Sequence, residues 1–455
     1  MSSKPRARLA EWAPRSRRAI EASLRSAGDR IRRRWVATLL AVGLLAHLRV
    51  LWPVFRYPRP PITADAAVFE HAGWYITRGG RLYLDVWEPK PPLPYETTAV
   101  LALVAGGDAS LYHALSVALT VGASIGVMLL LGALTHRITD RPDAALLAGS
   151  AVLVLPGYFY LPALGFSAKH VTAFAGLLAV YLALDDRPFP AGVAAAASAG
   201  YWQPAVVFPA LAAGITLQRG SWRAVVRVCL GGALAAAVML APVVYWGAIP
   251  AMIAEAVVVP LVVPEPGSLV PRLFVGGRDL KSSVPVLAVG AAAILLALRK
   301  PHREAWWWVA AGGAWFGFVA FAVDYDSFPD AIPGLAFVAL GIAFLYATHE
   351  RAATYVAAAT ALAAAVSVVW LGGFGVLADP LVIPEPPPLS EITPSPIPGD
   401  GIVPDVKVLF WRGEIPSTCH YRMSALERRW LEAAGYAKEC GRLSEALRML
   451  EVWPF

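Results

Sequence analysis

An all-α polytopic membrane protein is what this sequence predicts, and three observations predict it. Of its 455 residues 57% are hydrophobic and only 16% charged, with a mean hydropathy of +0.56. That is too little charge to clothe a soluble domain of such size. Apolar runs near the length of a bilayer crossing recur from Trp35 onward. Bases gather at the N-terminus and in short connections between the runs, as cytoplasmic loops do. The formal charge of +7 therefore reads as membrane topology, and no nucleic-acid partner is expected.

Residues 1–34 form a basic, partly helical cytoplasmic arm whose only acids are Glu11, Glu21 and Asp29. It fixes the N-terminus inside and is followed by the first span, Trp35 to Phe55, too late in the chain and too long for a cleavable signal peptide. The first outer loop, 56–110, carries two surface helices. In the first, Val68, Phe69, Ala72, Tyr75 and Ile76 recur at helical spacing until Gly79 and Gly80 end it. The second, Leu93 to Ala105, is too short and polar to cross, and a crossing there would send HRITDRPD outside against the charge rule.

Basic loops then alternate with apolar runs. The expected spans are Leu111 to Leu134, Ala144 to Tyr160, Val171 to Leu184, Phe189 to Tyr201, Pro204 to Leu217 and Val225 to Tyr245. A long loop, Trp246 to Ser283, precedes Val284 to Leu298, Trp306 to Val323, Ile332 to Tyr346 and Tyr355 to Leu371. That makes about eleven spans with the C-terminus outside. The membrane domain covers 35–377. A proline-rich spacer, 378–405, is expected to be neither helix nor sheet. Beyond it 406–455 reads as a small extracytoplasmic α/β cap, with VKVLFW a strand and Ser424 to Tyr436 and Ser444 to Val452 amphipathic helices. Of three cysteines, Cys229 lies in an apolar run, while Cys419 and Cys440 of the cap have the option of pairing in an oxidising compartment.

The stretch most like a site is Ala64 to Tyr95, ADAAVFEHAGWYITRGGRLYLDVWEPKPPLPY. Ionisable groups at the membrane face are there for work or for pairing. Asp65 heads the first surface helix, where it serves either as a general base or as an N-cap. Lys90, in a proline-stiffened turn, suits a lipid phosphate or an anchor to anionic phospholipid. The second outer loop offers Lys169 and His170 at the mouth of a span, to hold an anionic headgroup or to snorkel beside a satisfied histidine. Tyr201, Trp202 and Gln203 read as an interfacial belt. Arg272 and Lys281 either hold lipid or merely contact headgroups. Asp324, Asp326 and Asp330 form an acidic turn, either solvated or a contact for metal or acceptor.

Eight histidines are scattered without metal-ligand spacing. No glycine-rich phosphate loop opens a helix, so a nucleotide-dependent enzyme has no support. No metal and no cofactor is expected.

The run from Asp65 through ITRGGRLYLDVWEPKPPLPY resembles the GT-C superfamily, membrane glycosyltransferases that use lipid-phosphate sugars, including protein O-mannosyltransferases and aminoarabinose transferases. Asp65, Gly80, Tyr83, Asp85, Lys90, Pro91, Pro92 and Leu93 carry the match. The whole arrangement is most similar to archaeal dolichyl-phosphate-mannose mannosyltransferases. The resemblance departs at His170, where the family has an acid, and in DSFPDAIPGLAF, which lacks the family's base or histidine.

The resemblance implies a GT-C bundle moving a sugar, mannose by analogy, from a polyprenyl (dolichyl) phosphate to a hydroxyl of a lipid-linked or protein-linked glycan at the outer face, with inversion. It makes Asp65 the catalytic base and Lys90, Lys169 and Arg272 the donor-phosphate ligands. Glu70, Asp85, Glu88, His170 and Tyr95 become substrate contacts. The donor, the glycan acceptor and membrane lipids are the expected partners. The rival readings are a transporter or flippase of polyprenyl-linked saccharides, which would want polar groups mid-span, and a non-catalytic scaffold.

Overall fold

The structure, a computed structural model, describes residues 31–262 except 58, 284–323 except 300 and 301, 328–370, 395–397, 401–403 and 406–413. Most of the basic arm, Arg272, Lys281, Asp324, Asp326, both cap cysteines and both expected cap helices lie outside the described residues.

The chain is a helical bundle, and its first four helices run α1 (Trp35–Val54), α2 (Ala64–Thr77), α3 (Leu93–Ala105) and α4 (Ala109–Thr139). Helices α5 (Pro142–Ala151) and α6 (Pro156–Tyr160) are joined and followed by 3-10 turns. There follow α7 (Ala168–Leu184), α8 (Pro188–Tyr201), α9 (Val207–Arg219) and α10 (Trp222–Tyr245). Beyond these come α11 (Ile249–Ile253), α12 (Val259–Val262), α13 (Val284–Ala297), α14 (Arg303–Phe318), α15 (Ile332–Thr348) and α16 (Glu350–Trp370). Among the described residues six helices are long and apolar enough to cross a bilayer, seven if the α5–α6 pair is one span. The other four expected spans are the helices α7, α8, α9 and α13, of 17, 14, 13 and 14 residues. All four fall short of the roughly 20 residues of a straight crossing.

Small residues let these short helices approach closely. In α8 and α10, Gly192 lies against the carbonyl of Val228 and Gly231 against that of Phe189, with no room for a Cβ. Aromatic rings fill the centre. Trp202 stacks on Phe316 at 5.9 Å, and Phe208 stacks on Phe337 at 6.0 Å.

Four expectations are corrected. The run Ala144 to Tyr160 is not one straight span but bends by 88°, because Pro156 forces Leu155 into extended backbone. The loop after α10 is helical from Ile249, passing through a π-helical turn over Ala254–Val258. There Ala251, Ala254, Glu255 and Val258 are all buried at helical spacing. VKVLFW is no strand; Val406–Arg412 forms a helix, α17. Its consecutive Val408, Leu409 and Phe410 are all buried, a pattern that strand alternation cannot satisfy. The proline-rich spacer contains an antiparallel ribbon, β1 (Ser395–Ile397) with β2 (Gly401–Val403). Each strand of a two-stranded ribbon keeps a free edge, so Pro396 can sit there without an N–H.

Candidate active site

The candidate site is built on α2 and α3, which follow the first membrane-length helix. Thr63 caps α2, its hydroxyl accepting from Ala66 N at 3.1 Å. Asp65 is therefore not the cap. It occupies the first turn, partly exposed, where unpaired helical N–H groups favour a carboxylate. Gly73 of α2 lies against the α3 backbone at Ala99, and Thr98 Oγ1 donates to Phe69 O at 2.8 Å. A side chain at position 73 would drive the helices apart.

One turn beyond Asp65 and on the same helical face is Phe69. The Lys90 ammonium sits 5.1 Å from the centroid of its ring. Lys90 and Phe69 stand 21 positions apart in sequence, and the fold makes them neighbours. Lys90 follows a loop in which Arg81 and Asp85 form a bidentate pair at 3.0 and 3.1 Å. Tyr83 there has φ of +64°, a left-handed conformation uncommon for a bulky residue. Burial, and the nearby carboxyls of Glu255, Glu88 and Glu96, hold its phenol well above the usual range.

The residue after Phe69 is bound into the bundle. Glu70 is fully buried, its Oε1 accepting from Phe166 N at 2.9 Å while its Oε2 meets His113 Nδ1 at 3.0 Å. Tyr112 OH donates to the Glu70 carbonyl at 2.7 Å. The residue before Phe166, Gly165, has φ of +116° and lies so close to Glu70 that a Cβ would meet its Oε1 at 2.7 Å. Glu70 thus ties α2 to α4 and to the segment before α7. Phe410 and Trp411 of α17 cover this junction, packing on the His113 ring at 6.3 and 5.6 Å.

The other expected site residues divide. Lys169 Nζ lies 2.7 Å from Asp330 Oδ1 and 3.3 Å from the centroid of Trp202, so it already has an anionic partner. His170 is fully buried, bonded through Nε2 to the Tyr158 carbonyl at 2.8 Å and through Nδ1 to Ser167 Oγ at 2.9 Å. Both its ring nitrogens are occupied by the fold. Tyr95 is buried with its ring 5.4 Å from Phe69. Asp85 is held by Arg81, and Glu88 is buried, its backbone N–H donating to Glu255 Oε2 at 3.0 Å. Among the described residues no group of three or more His, Cys, Asp or Glu could hold a metal ion.

Tyr201, Trp202 and Gln203 are not an interfacial belt. Tyr201 and Trp202 are buried, Tyr201 OH shares a 2.7 Å hydrogen bond with Thr97, and Gln203 reaches the loop of Lys90. Sequence reading gave no site role to Glu255 or Glu96. A lone carboxylate within IPAMIAEAVVVPLVV was the available signal for the first, since such a group seldom enters an apolar run without a partner.

Comparison with known proteins decides the lineage. A model of the DolP-mannose mannosyltransferase family matches residues 79–241, the part of the chain that includes Lys90. A dolichol phosphate-mannose mannosyltransferase of Haloferax volcanii is 33% identical over 439 residues, 88% of this chain and 94% of the relative. The chain belongs to the DolP-mannose mannosyltransferase family. As a member it is a glycosyltransferase, and the transporter reading falls.

The archaeal oligosaccharyltransferase AglB of Archaeoglobus fulgidus, solved with an inhibitory peptide and a dolichol-phosphate, has the same fold. It aligns with a TM-score of 0.50 at 12% identity, covering 75% of this chain and 55% of that one. ArnT of Cupriavidus metallidurans, bound to undecaprenyl phosphate, aligns at 0.48 and 17%, covering 74% and 72%. With its membrane-length helices this DolP-mannose mannosyltransferase family member is a multi-pass helical bundle.

Proposed function

We propose that this chain transfers mannose from dolichyl phosphate to a hydroxyl of a lipid-linked or protein-linked glycan at the outer face of the membrane. The N-terminus lies in the cytoplasm in this reading, and the α2–α3 surface and the C-terminus lie outside, because the bases collect in the loops on the opposite side. The observation that carries the reading is the Lys90 ammonium on Phe69, one turn from Asp65. In this reading the cation on that ring serves a departing phosphate, and Asp65, one helical turn away from Phe69, serves an attacking hydroxyl.

In this mechanism the acceptor hydroxyl gives its proton to Asp65 as its oxygen attacks the anomeric carbon. The bond from that carbon to the lipid phosphate breaks on the far side, and the anomeric centre inverts. The electron pair leaves with the dolichyl phosphate, whose charge Lys90 neutralises. Neither role needs a nucleotide, since the donor already carries its leaving group. The deciding experiment supplies dolichyl-phosphate-mannose to proteoliposomes containing the wild-type or the Asp65→Asn protein. The wild type should transfer labelled mannose to an endogenous glycan fraction and the variant should not; equal transfer by both removes Asp65 from the base role.

A further inference from the structure

Lys90 can meet a phosphate at a fixed place only if its own backbone is fixed, and the turn that carries it is proline-flanked rather than helical. In Glu88-Pro89-Lys90, three successive residues are each held by one side chain from elsewhere. Glu88 N donates to Glu255 Oε2 at 3.0 Å. The Pro89 carbonyl accepts from Gln203 Nε2 at 2.6 Å, and the same nitrogen lies 3.0 Å from the Ala256 carbonyl. The Lys90 carbonyl accepts from Tyr83 OH at 2.7 Å.

These holds come from three separate parts of the chain: the loop after α2, the turn between α8 and α9, and the helical segment after α10. Gln203 also binds the first of these parts to the third. Two further features mark the arrangement as costly. Tyr83 accepts a left-handed backbone that is strained for a residue with a bulky side chain. Glu255 is a carboxylic acid buried in an apolar segment, on a π-helical turn. Surroundings that sustain both can fix a neighbouring turn tightly.

We propose that Gln203 and Glu255, with Tyr83, are positioning residues for donor binding, acting through Lys90 and not by touching the donor. The proposal rests on the reading of Lys90 as the ligand of the donor phosphate. Its prediction is coupling: loosening the turn should cost donor affinity only while Lys90 is there to be misplaced.

The test is a double-mutant cycle on the full chain in proteoliposomes, with dolichyl-phosphate-mannose as the varied substrate. Gln203→Leu and Glu255→Leu should each raise the donor KM about tenfold with a smaller change in kcat. Glu255→Gln keeps an acceptor for Glu88 N and should recover most of the loss, which separates the hydrogen bond from the charge. In a Lys90→Ala background neither Leu substitution should raise the donor KM further. Full additivity would overturn the positioning role while leaving Lys90 a ligand. An unchanged donor KM in Lys90→Ala alone would overturn the reading of Lys90, and the proposal with it. Should the Leu variants fail to fold, Tyr83→Phe, which removes one oxygen from an intact ring, replaces them in the same cycle with the same outcomes.

Discussion

Lys169 and Asp330 form an ion pair at 2.7 Å in which both side chains are at least nine-tenths buried. The pair joins the first turn of α7 to the 3-10 turn Phe328–Ala331 before α15, and the lysine also rests on Trp202. One sequence expectation set Lys169 on the donor phosphate and another left Asp330 in a solvated or metal-binding turn. The structure spends each on the other.

Breaking that pair should therefore destabilise the protein before it affects donor binding. Lys169→Met or Asp330→Leu alone leaves a buried charge unmatched, at a cost of about 3–5 kcal/mol, while replacing both should recover much of the loss. Unfolding midpoints in detergent check this. A donor KM that rises in Lys169→Met at an unchanged midpoint would return Lys169 to the donor site.

Thr63 and Asp65 should separate cleanly. Thr63→Ala removes the cap of α2 and should lower stability by about 1 kcal/mol while transfer persists. Asp65→Asn should leave the midpoint nearly unchanged and abolish transfer. Parallel melting curves and labelled-mannose assays distinguish a structural from a chemical loss.

Glu70 should behave as a strut. In Glu70→Ala, Phe166 N and His113 Nδ1 both lose their carboxylate, a loss of about 1.5–3 kcal/mol for each bond to a charged group. The yield of folded protein should fall. Turnover measured per folded molecule should hold within severalfold, and a loss as deep as that of Asp65→Asn would place Glu70 in the chemistry.

A pH-dependent stability is expected from Glu96, in the first turn of α3. Burial raises its carboxyl from 4.5 to about 8. A raised carboxyl means that the folded state keeps a proton the unfolded state has released, so stability falls as pH climbs from about 4.5 and the loss is complete above about 8. Glu96→Gln should flatten this slope, gaining most over wild type above pH 8; superimposable pH–midpoint curves would refute it.

Orientation can be read by labelling. In a background with Cys229, Cys419 and Cys440 replaced by Ser, a cysteine at the exposed Arg81 should react with an impermeant maleimide added outside intact cells. One at Asp140, beyond the end of α4, should react only after lysis. The reverse result would put the Asp65 surface in the cytoplasm and end the proposed reaction.

The helices were legible because hydrocarbon imposes a local rule: every backbone group must be satisfied within the segment, so apolar runs between basic loops become helices. The run Asp65 to Leu93 likewise announced its family, since its aromatics, prolines and ions follow one another in an order the eye can match. Partnership was not legible. Glu255 meeting Glu88 across 167 positions, Gln203 reaching Pro89 across 114 and Lys169 closing on Asp330 are choices made when distant segments pack.

By itself, then, the sequence determined the class of fold, and it singled out the stretch holding Asp65 and Lys90, in which the chemistry is proposed to reside. The tertiary structure alone decided which distant groups the neighbouring charges meet. A buried charge must find its counterpart wherever the fold supplies one, however far away in the chain. It therefore removed Glu70, Lys169 and His170 to structural posts and brought Gln203 and Glu255 to the turn that bears Lys90.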